Sequence, residues 1–261
     1  MNLRGVSADA LAALTKELTG ATLGDDLFAV AAVLRSEPGL RRVATDVSVE
    51  PAAKAGLMQQ IFDGKVGDAA AALVASAVKH RWAASRDLAD TLEYLGVVAV
   101  VKSAGSDTGR LSDELFAFAQ IVQHNYDLRD ALSDPARSTA DKRALVSGLL
   151  EGKALPATLT LVDQALSGTH RTVGVALEEY QRIAADVHGQ GVATVRVART
   201  LSDADHQRLT DALSRQYDRP VHLNVVVDPE VLGGIRVEIG DDVIDGTIAS
   251  RLDDARRKLA G

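Results

Sequence analysis

No cysteine occurs among the 261 residues. That absence excludes disulfides, zinc–thiolate sites and thiol nucleophiles, and it is compatible with a reducing compartment. Any redox chemistry would need a borrowed cofactor. Aromatic residues make up only 3% of the chain, with one tryptophan, so stacking platforms for nucleic-acid bases are scarce. Positive charge is also in deficit: the formal net charge is −7 and the sequence pI about 5.4. Such a balance opposes non-specific attraction to phosphates or anionic lipid, and makes proteins the expected partners. Long apolar runs are missing too. The most apolar window, AAAALVASAV over 69–78, is mostly alanine and far short of the roughly 18 residues that span a bilayer. The opening MNLRGVSADALAALTKELTG is interrupted by polar residues at regular intervals, unlike a targeting segment.

What is present is a chain 46% hydrophobic, enough for a sizeable core and for one to three domains. Richness in Ala, Leu, Arg and Asp favours helix. Slid against itself, the sequence shows a gapless internal repeat at a spacing of 88. LGDDLFAVAAVLRSEPGLRRVATD from Leu23 lies over LSDELFAFAQIVQHNYDLRDALSD from Leu111, pairing Asp25 with Asp113, Leu27 with Leu115 and Phe28 with Phe116. The register continues through Lys54 with Lys142 and Gly64-Lys65 with Gly152-Lys153.

Apolar residues at spacings of three and four, between Gly, Pro and Ser/Asp breaks, predict helices near 7–19, 24–36, 39–45, 51–62, 67–81 and 85–103 in the first copy. The second copy gives 112–124, 127–133, 139–150, 155–167 and 171–188. The helix over 85–103 would close one copy and open the next, giving two small bundles joined rigidly; a break between Leu95 and Ser106 would argue against this sharing.

Helical periodicity stops at Gly189-Gln190-Gly191. VATVRVART then alternates as a strand, LSDADHQRLTDALSRQY reads as an amphipathic helix with Ser202 at its N-cap, and VHLNVVVD and GIRVEIG read as further strands. Asp228-Pro229 starts a turn, Gly233-Gly234 permits positive φ or close backbone approach in a bulged connection, and Gly240-Asp241-Asp242 turns again. After VID a last helix is expected, with Asp245 as N-cap and Ile248, Leu252, Ala255 and Leu259 on one face. The expected architecture is α+β: two consecutive small helical bundles over 1–105 and 106–190, followed by a small α/β domain over 191–261.

The chemical motifs are sparse. Gly64-Lys65 and Gly152-Lys153 lack the spaced glycine and following Ser/Thr of a phosphate loop, and read as helix-ending turns. The histidines at 80, 124, 170, 188, 206 and 222 form no close helical pair suited to zinc. Asp241, Asp242 and Asp245 could serve a hydrolase, yet no nucleophile or metal partner stands at an identifiable spacing. No catalytic, cofactor or metal residue is assigned. Trp82 beside Arg81 is either an interface anchor or a core residue. The strand-helix-strand tail leaves open an RNA-binding helical plus α/β adaptor, although charge and aromatic content oppose it.

DPEVLGGIRVEIGDDVIDGTIASRLDDARRKL, from Asp228, resembles the C-terminal signature of the delta subunit of bacterial F-type ATP synthases, the oligomycin-sensitivity-conferring protein family. The matching positions are Asp228, Gly233, Gly234, Ile239, Gly240, Val243, Ile244, Asp245, Ile248 and Leu252, and ARTLSDADHQRLTDAL resembles the family's lead-in. DKRALVSGLLEGKALPATLTLVDQAL is more loosely similar to the family's six-helix N-terminal domain. The repeat implies two such domains where most members have one, an arrangement similar to the delta portion of actinobacterial enzymes. The resemblance implies a non-catalytic, cofactor-free connector of the peripheral stalk. Its expected partners are alpha-subunit N-terminal segments and the stalk b subunit, without nucleic acid or membrane insertion, at the cytoplasmic face of the plasma membrane.

Overall fold

The computed structural model describes residues 3–18, 23–167, 169–248 and 250. The first part is helical: α1 (Val6–Glu17), α2 (Gly24–Ser36), α3 (Pro38–Thr45), α4 (Pro51–Phe62), α5 (Asp68–Ala77), α6 (Ser85–Ser103), a 3-10 turn at Gly105–Asp107, α7 (Thr108–His124), α8 (Tyr126–Ser133), α9 (Thr139–Leu150), α10 (Pro156–Ala165) and α11 (Val173–Val187). The second part holds β1 (Gly191–Val197), α12 (Asp203–Gln216), β2 (Val221–Val227), β3 (Ile235–Ile239) and β4 (Asp242–Asp245). The chain is therefore α+β.

Local chemistry sets the helix ends. Proline fills the first position of α3, α4 and α10, where its missing N–H is not needed. Asn125, Ser138, Thr172 and Ser202 each accept from a first-turn N–H. The expected helix over 67–81 stops early, at Ala77, where the chain tightens into turn bonds from Lys79 and His80 and the Trp82 indole also donates to the Ala77 carbonyl, at 3.0 Å. Gly64 and Gly152, with φ of 64° and 72°, turn the chain out of α4 and α9, and Lys65 and Lys153 donate backbone bonds back to Phe62 and Leu150.

Two pairs of elements keep a constant interval. α4 and α5 run from Pro51 to Phe62 and from Asp68 to Ala77, and α9 and α10 begin and end 88 residues later. One tertiary contact recurs at the same interval. Asp26 on α2 accepts from the Gly67 N–H before α5 at 2.9 Å, and Glu114 on α7 accepts from the Leu155 N–H before α10 at 2.8 Å. Each carboxylate faces the positive end of a helix whose own cap residue has no side chain to offer.

α6 joins the two helical sets. Leu95 through Val101 are buried without interruption, the mark of a helix covered on all sides. α1, α2 and α3 pack on it from one side, and α7, α10 and α11 from the other. α6 is unbroken from Leu95 to Ser103, and the chain then turns through Gly105, at φ 52°, inside the 95–106 interval before α7 begins at Thr108. The apolar core is consequently continuous from Ala10 to Ala184. Where α2 crosses α6, Gly24 and Gly96 bring the backbones together: a Cβ at Gly96 would lie 2.6 Å from Phe28 Cε1 and 3.2 Å from the Gly24 carbonyl, and one at Gly24 would meet Val100 Cγ2. At the start of α6, Ser7 Oγ donates to Asp87 Oδ2 at 2.7 Å and accepts from the Ala83 N–H, tying α1 down.

The sheet order is β2-β1-β3-β4. β1 and β2 are parallel, with α12 as the crossover, and β3 and β4 are antiparallel to their neighbours. Ala193, Val195, Val197, Leu223, Val237 and Ile239 face a separate small core closed by Leu213 of α12. The connection after Asp228 has the expected positive-φ glycines, Gly233 and Gly234; because β2 and β3 flank β1, it arches over the end of β1, held where the Asp228 N–H donates to the Val197 carbonyl at 2.8 Å. One expectation here needs correction: the turn expected over 240–242 closes at 241, after Gly240 at φ 58°, and residues 242–245 form β4, an exposed edge strand, before any helix.

Asp245 is not a helix cap. It ends β4, and its Oδ1 accepts from the N–H and hydroxyl of Thr247, at 3.0 and 2.7 Å, in an Asx turn. Thr247 Oγ1 in turn accepts from the Ser250 N–H at 3.2 Å, the cap geometry that Asp245 was expected to supply. Leu252, Ala255 and Leu259, the expected apolar face of the last helix, lie outside the described residues.

Two measurements test this packing. Gly96→Ala should lower stability by about 1–3 kcal/mol, since Phe28 and the facing backbone cannot both move aside; an unchanged urea midpoint would show that the crossing is loose. Glu114 is raised by burial but pulled lower overall by hydrogen bonds from Thr158, Leu155 and Arg110, so its folded carboxyl sits below the ordinary value. A depressed acid contributes stability above its unfolded pKa and loses it as pH falls through the folded one. Glu114→Gln should therefore cost on the order of 1 kcal/mol at neutral pH. The difference from the parent should vanish in acid, read from urea melts across pH 2–7.

Candidate functional site

Two grooves among the described residues are wide enough to hold a partner. The first is a cleft of about 840 Å³ between α2 and α10, with Arg143 of α9 at its rim. Its α2 wall presents Asp25, Ala29 and Ala32, one helical face of small residues beside a charge. Opposite stands Asp163 of α10. Burial pushes its carboxyl up, the Arg143 charge opposes that shift, and the Asp25 charge adds to it. The cleft thus carries two acids, Asp25 and Asp163, and two arginines, Arg35 and Arg143, and its small α2 side chains leave room for close approach of another helix.

The base of this cleft is a polar lock. Glu93 of α6 is 6% exposed. It receives Arg35 of α2 at 2.5 Å, Gln164 of α10 at 2.6 Å and Thr169 at 2.7 Å, while Arg35 also reaches Asp90 at 2.9 Å. A buried carboxylate is tolerable only when so engaged. The contacts fix α2, α6 and α10 against one another. Beside them the Tyr180 phenol is buried and has its pKa raised far above the ordinary value, chiefly by burial and then by the Glu93 charge. It cannot act as an acid or base near neutrality.

The second groove, about 740 Å³, runs between α7, α8 and α11 and the face of the sheet turned away from α12. The walls meet at a polar seam. Asn224 of β2 donates to Gln181 of α11 at 3.1 Å, and both side chains are buried. Gln181 Nε2 and Asn224 Oδ1 have no partner, and turning both carboxamides over would still leave one donor and one acceptor open. Nearby, His222 Nε2 approaches Asp113 Oδ1 at 3.0 Å without the alignment of a hydrogen bond. No apolar cluster crosses this seam; the two cores end on either side of it.

The positions singled out in the sequence divide clearly. Trp82 is 7% exposed and its N–H is satisfied, so it packs in the core and leaves only Arg81 on the surface. Asp228 makes an Asx turn to Glu230 at 2.9 Å. Gly233 and Gly234, at φ 152° and 82°, pass beneath residues 246–248: a Cβ on Gly234 would meet the Gly246 carbonyl and lie 2.9 Å from Thr247 Cα, and one on Gly233 would lie 2.7 Å from Ile248 Cδ1. Ile239 is in the small core, whereas Ile244 and Ile248 are exposed by 37% and 47%. These residues form a structural clasp.

Among the described residues no group of three His, Asp or Glu side chains is placed to hold a metal, and Asp242 meets only the Tyr217 hydroxyl, at 3.1 Å. No helix there is long and apolar enough to cross a membrane. The open face of the sheet carries Val192, Thr194, Arg196, His222, Asn224, Arg236 and Glu238; the His222 ring is turned to Asp113 of α7, and no Phe, Tyr or Trp of the described strands offers a platform for a base to stack on. Sequence reasoning missed both grooves because each is assembled from distant segments. A usable signal for the first was Glu93, one of three acids of α6 with Asp87 and Asp90, standing directly between the apolar Leu92 and Tyr94.

Comparison with known proteins bears on what such grooves hold. Residues 97–259 match the family described as ATP synthase delta (OSCP) subunit. Similar chains named ATP synthase subunit delta occur in a Nocardioides species, 59% identical with all of this chain and 98% of that one covered, and in Streptomyces coelicolor, 44% identical with 99% and 98% covered. Another, from Kineococcus radiotolerans, is 46% identical over 91% of this chain and 87% of its own. A chain of the Toxoplasma gondii mitochondrial ATP synthase hexamer, seen by cryo-EM, aligns with 59% of this chain and 97% of itself at 17% identity and a TM-score of 0.32, too slight a likeness to bear on the fold. The end-to-end relatives and the matched span, which takes in the glycine clasp and the whole sheet, agree: the chain belongs to the ATP synthase delta (OSCP) subunit family.

Proposed function

We infer that this chain is a non-catalytic connector in the peripheral stalk of an F-type ATP synthase, joining the alpha/beta head to the stalk b subunit and resisting rotor torque. The observation that carries the reading is the 59% identity, along the whole chain, to an ATP synthase subunit delta. Its physical features suit the role. A connector under load needs stiffness, and α6 with its Glu93 lock makes one body of all eleven helices of the first part. It also needs helix-accepting surfaces, which amphipathic partners fill with their apolar faces.

In this reading residues 1–105 and 106–190 are duplicated helical units sharing α6, and 191–261 is the stalk-facing domain. The cleft between α2 and α10 takes an alpha-subunit N-terminal segment as a helix. The subunit then works at the cytoplasmic face of the plasma membrane as a peripheral component.

Capture of the isolated catalytic head by the purified full chain tests this. Binding should be strong with intact alpha N-terminal segments and lost when they are removed. Ala32→Trp, an exposed position on the cleft wall, should weaken capture by tenfold or more without changing the melting temperature. Equal capture of the truncated head would overturn the docking mode, and no capture of the intact head would overturn the connector reading.

A further inference from the structure

Among the described residues one charge-bearing contact crosses from the helical body to the sheet, and it joins His222 of β2 to Asp113 of α7. Val221, Leu223 and Val225 of β2 face the small core under α12, so strand alternation sends His222 and Asn224 to the opposite face, toward α7 and α11. Asn224 meets Gln181 of α11 there. His222 meets Asp113: Nε2 lies 3.0 Å from Oδ1, is buried, and makes no hydrogen bond because the two groups are misaligned. The histidine side chain keeps 20% exposure and the aspartate 67%, so the pair can exchange protons with solvent.

The two charge states of the ring gain different amounts from this geometry. A hydrogen bond from a neutral imidazole is directional and weakens steeply off axis. Attraction between an imidazolium and a carboxylate depends on distance and needs no such alignment. The neutral ring therefore leaves its buried nitrogen unsatisfied, while the charged ring forms an ion pair that ties the sheet to α7. The remaining charges on neighbouring elements come as mixed sets. α7 adds Arg110, held by Glu114 at 2.7 Å; α8 adds Arg129, stacked on Tyr126, and Asp130. α11 adds Glu178, Asp186 and Arg182, the last paired with Glu179 at 2.5 Å. β1 adds Arg196, β3 the Arg236–Glu238 pair, and the turn before β2 adds Asp218 and Arg219, the latter laid against Gly191. α12 lies on the other face of the sheet. Asp113 is thus the carboxylate in contact with the ring, and it sets which charge state the joint favours.

We propose that His222 and Asp113 form a proton-operated latch between the sheet and the helical body, closed when the ring is charged and released when it is neutral. The latch is a property of the chain by itself and does not rest on the connector reading. The closed joint gains its attraction only after binding a proton, so closure is favoured as pH falls through the imidazole range, between about 5 and 8, and is lost as pH rises through it. Protonation of Asp113 in stronger acid removes the attraction again.

The absence of cysteine makes the test clean. Spin labels on Ala140→Cys of α9 and Ala204→Cys of α12, both exposed positions, report the spread of distances between body and sheet in the full-length chain. From about pH 8 to about pH 5.5 that spread should narrow by roughly a third, and high salt at the lower pH should widen it again. Asp113→Asn and His222→Gln should each abolish the pH response. Asp113, being exposed, is the variant that decides if the change at His222 disturbs folding. A spread that ignores pH in the parent, or an equal pH response in Asp113→Asn, would overturn the latch.

Discussion

The helical body depends on one element being buried from both sides. α6 presents seven consecutive buried residues, Leu95 to Val101, to helices that precede it and helices that follow it. The glycines at its crossing with α2 set how near those neighbours come. Interiors are packed too densely to deform gradually, so displacement on one flank is passed to the other. The interval of 88 between α4-α5 and α9-α10, and between the Asp26 and Glu114 contacts, gives each flank the same local devices. What distinguishes the flanks is the Glu93 lock, which has to be polar because it lies where three helices converge beside an open cleft.

Much of this was legible beforehand, for identifiable reasons. Helix positions follow from strict three-and-four periodicity and from Pro, Ser, Thr and Asn at first turns, all short-range signals. The strands at 191–197 and 221–227 were equally plain because one face of each is buried. β4 was not, because four exposed residues carry no burial pattern at all. Asp245 was misread for a related reason: an aspartate before an apolar run looks like a cap, and only the Thr247 side chain, two residues on, shows which residue holds the helix start.

The grooves are a harder case. Arg35, Glu93 and Gln164 are 58 and 71 residues apart along the chain, and nothing in a linear pattern says that they meet. The charge state of a groove is likewise a three-dimensional property. Arg196 and Arg236 look like ordinary polar positions of alternating strands; only the register, which sets them opposite each other, makes Arg196 conspicuous. The family signature was readable in Gly233-Gly234 and Ile239-Gly240 because the three glycines serve positive-φ backbone and Ile239 fills the small core of the sheet.

These two kinds of surface imply a division of labour. The helical body is apolar inside and locked, and so is suited to transmit force. The seam to the sheet is polar, holds a carboxamide pair with one donor and one acceptor open, and includes a histidine and an aspartate in poor alignment. A buried polar contact left partly unmade costs more than an apolar one would, so the seam contributes little to holding the sheet in place. A joint of this kind is stiff only when something else spans it. In the isolated subunit the sheet meets the helical body through the chain connection at 188–190, the Asn224–Gln181 hydrogen bond and the contacts of β1 with α11 and of β2 with α7, so its coupling to that body is polar where each core by itself is apolar.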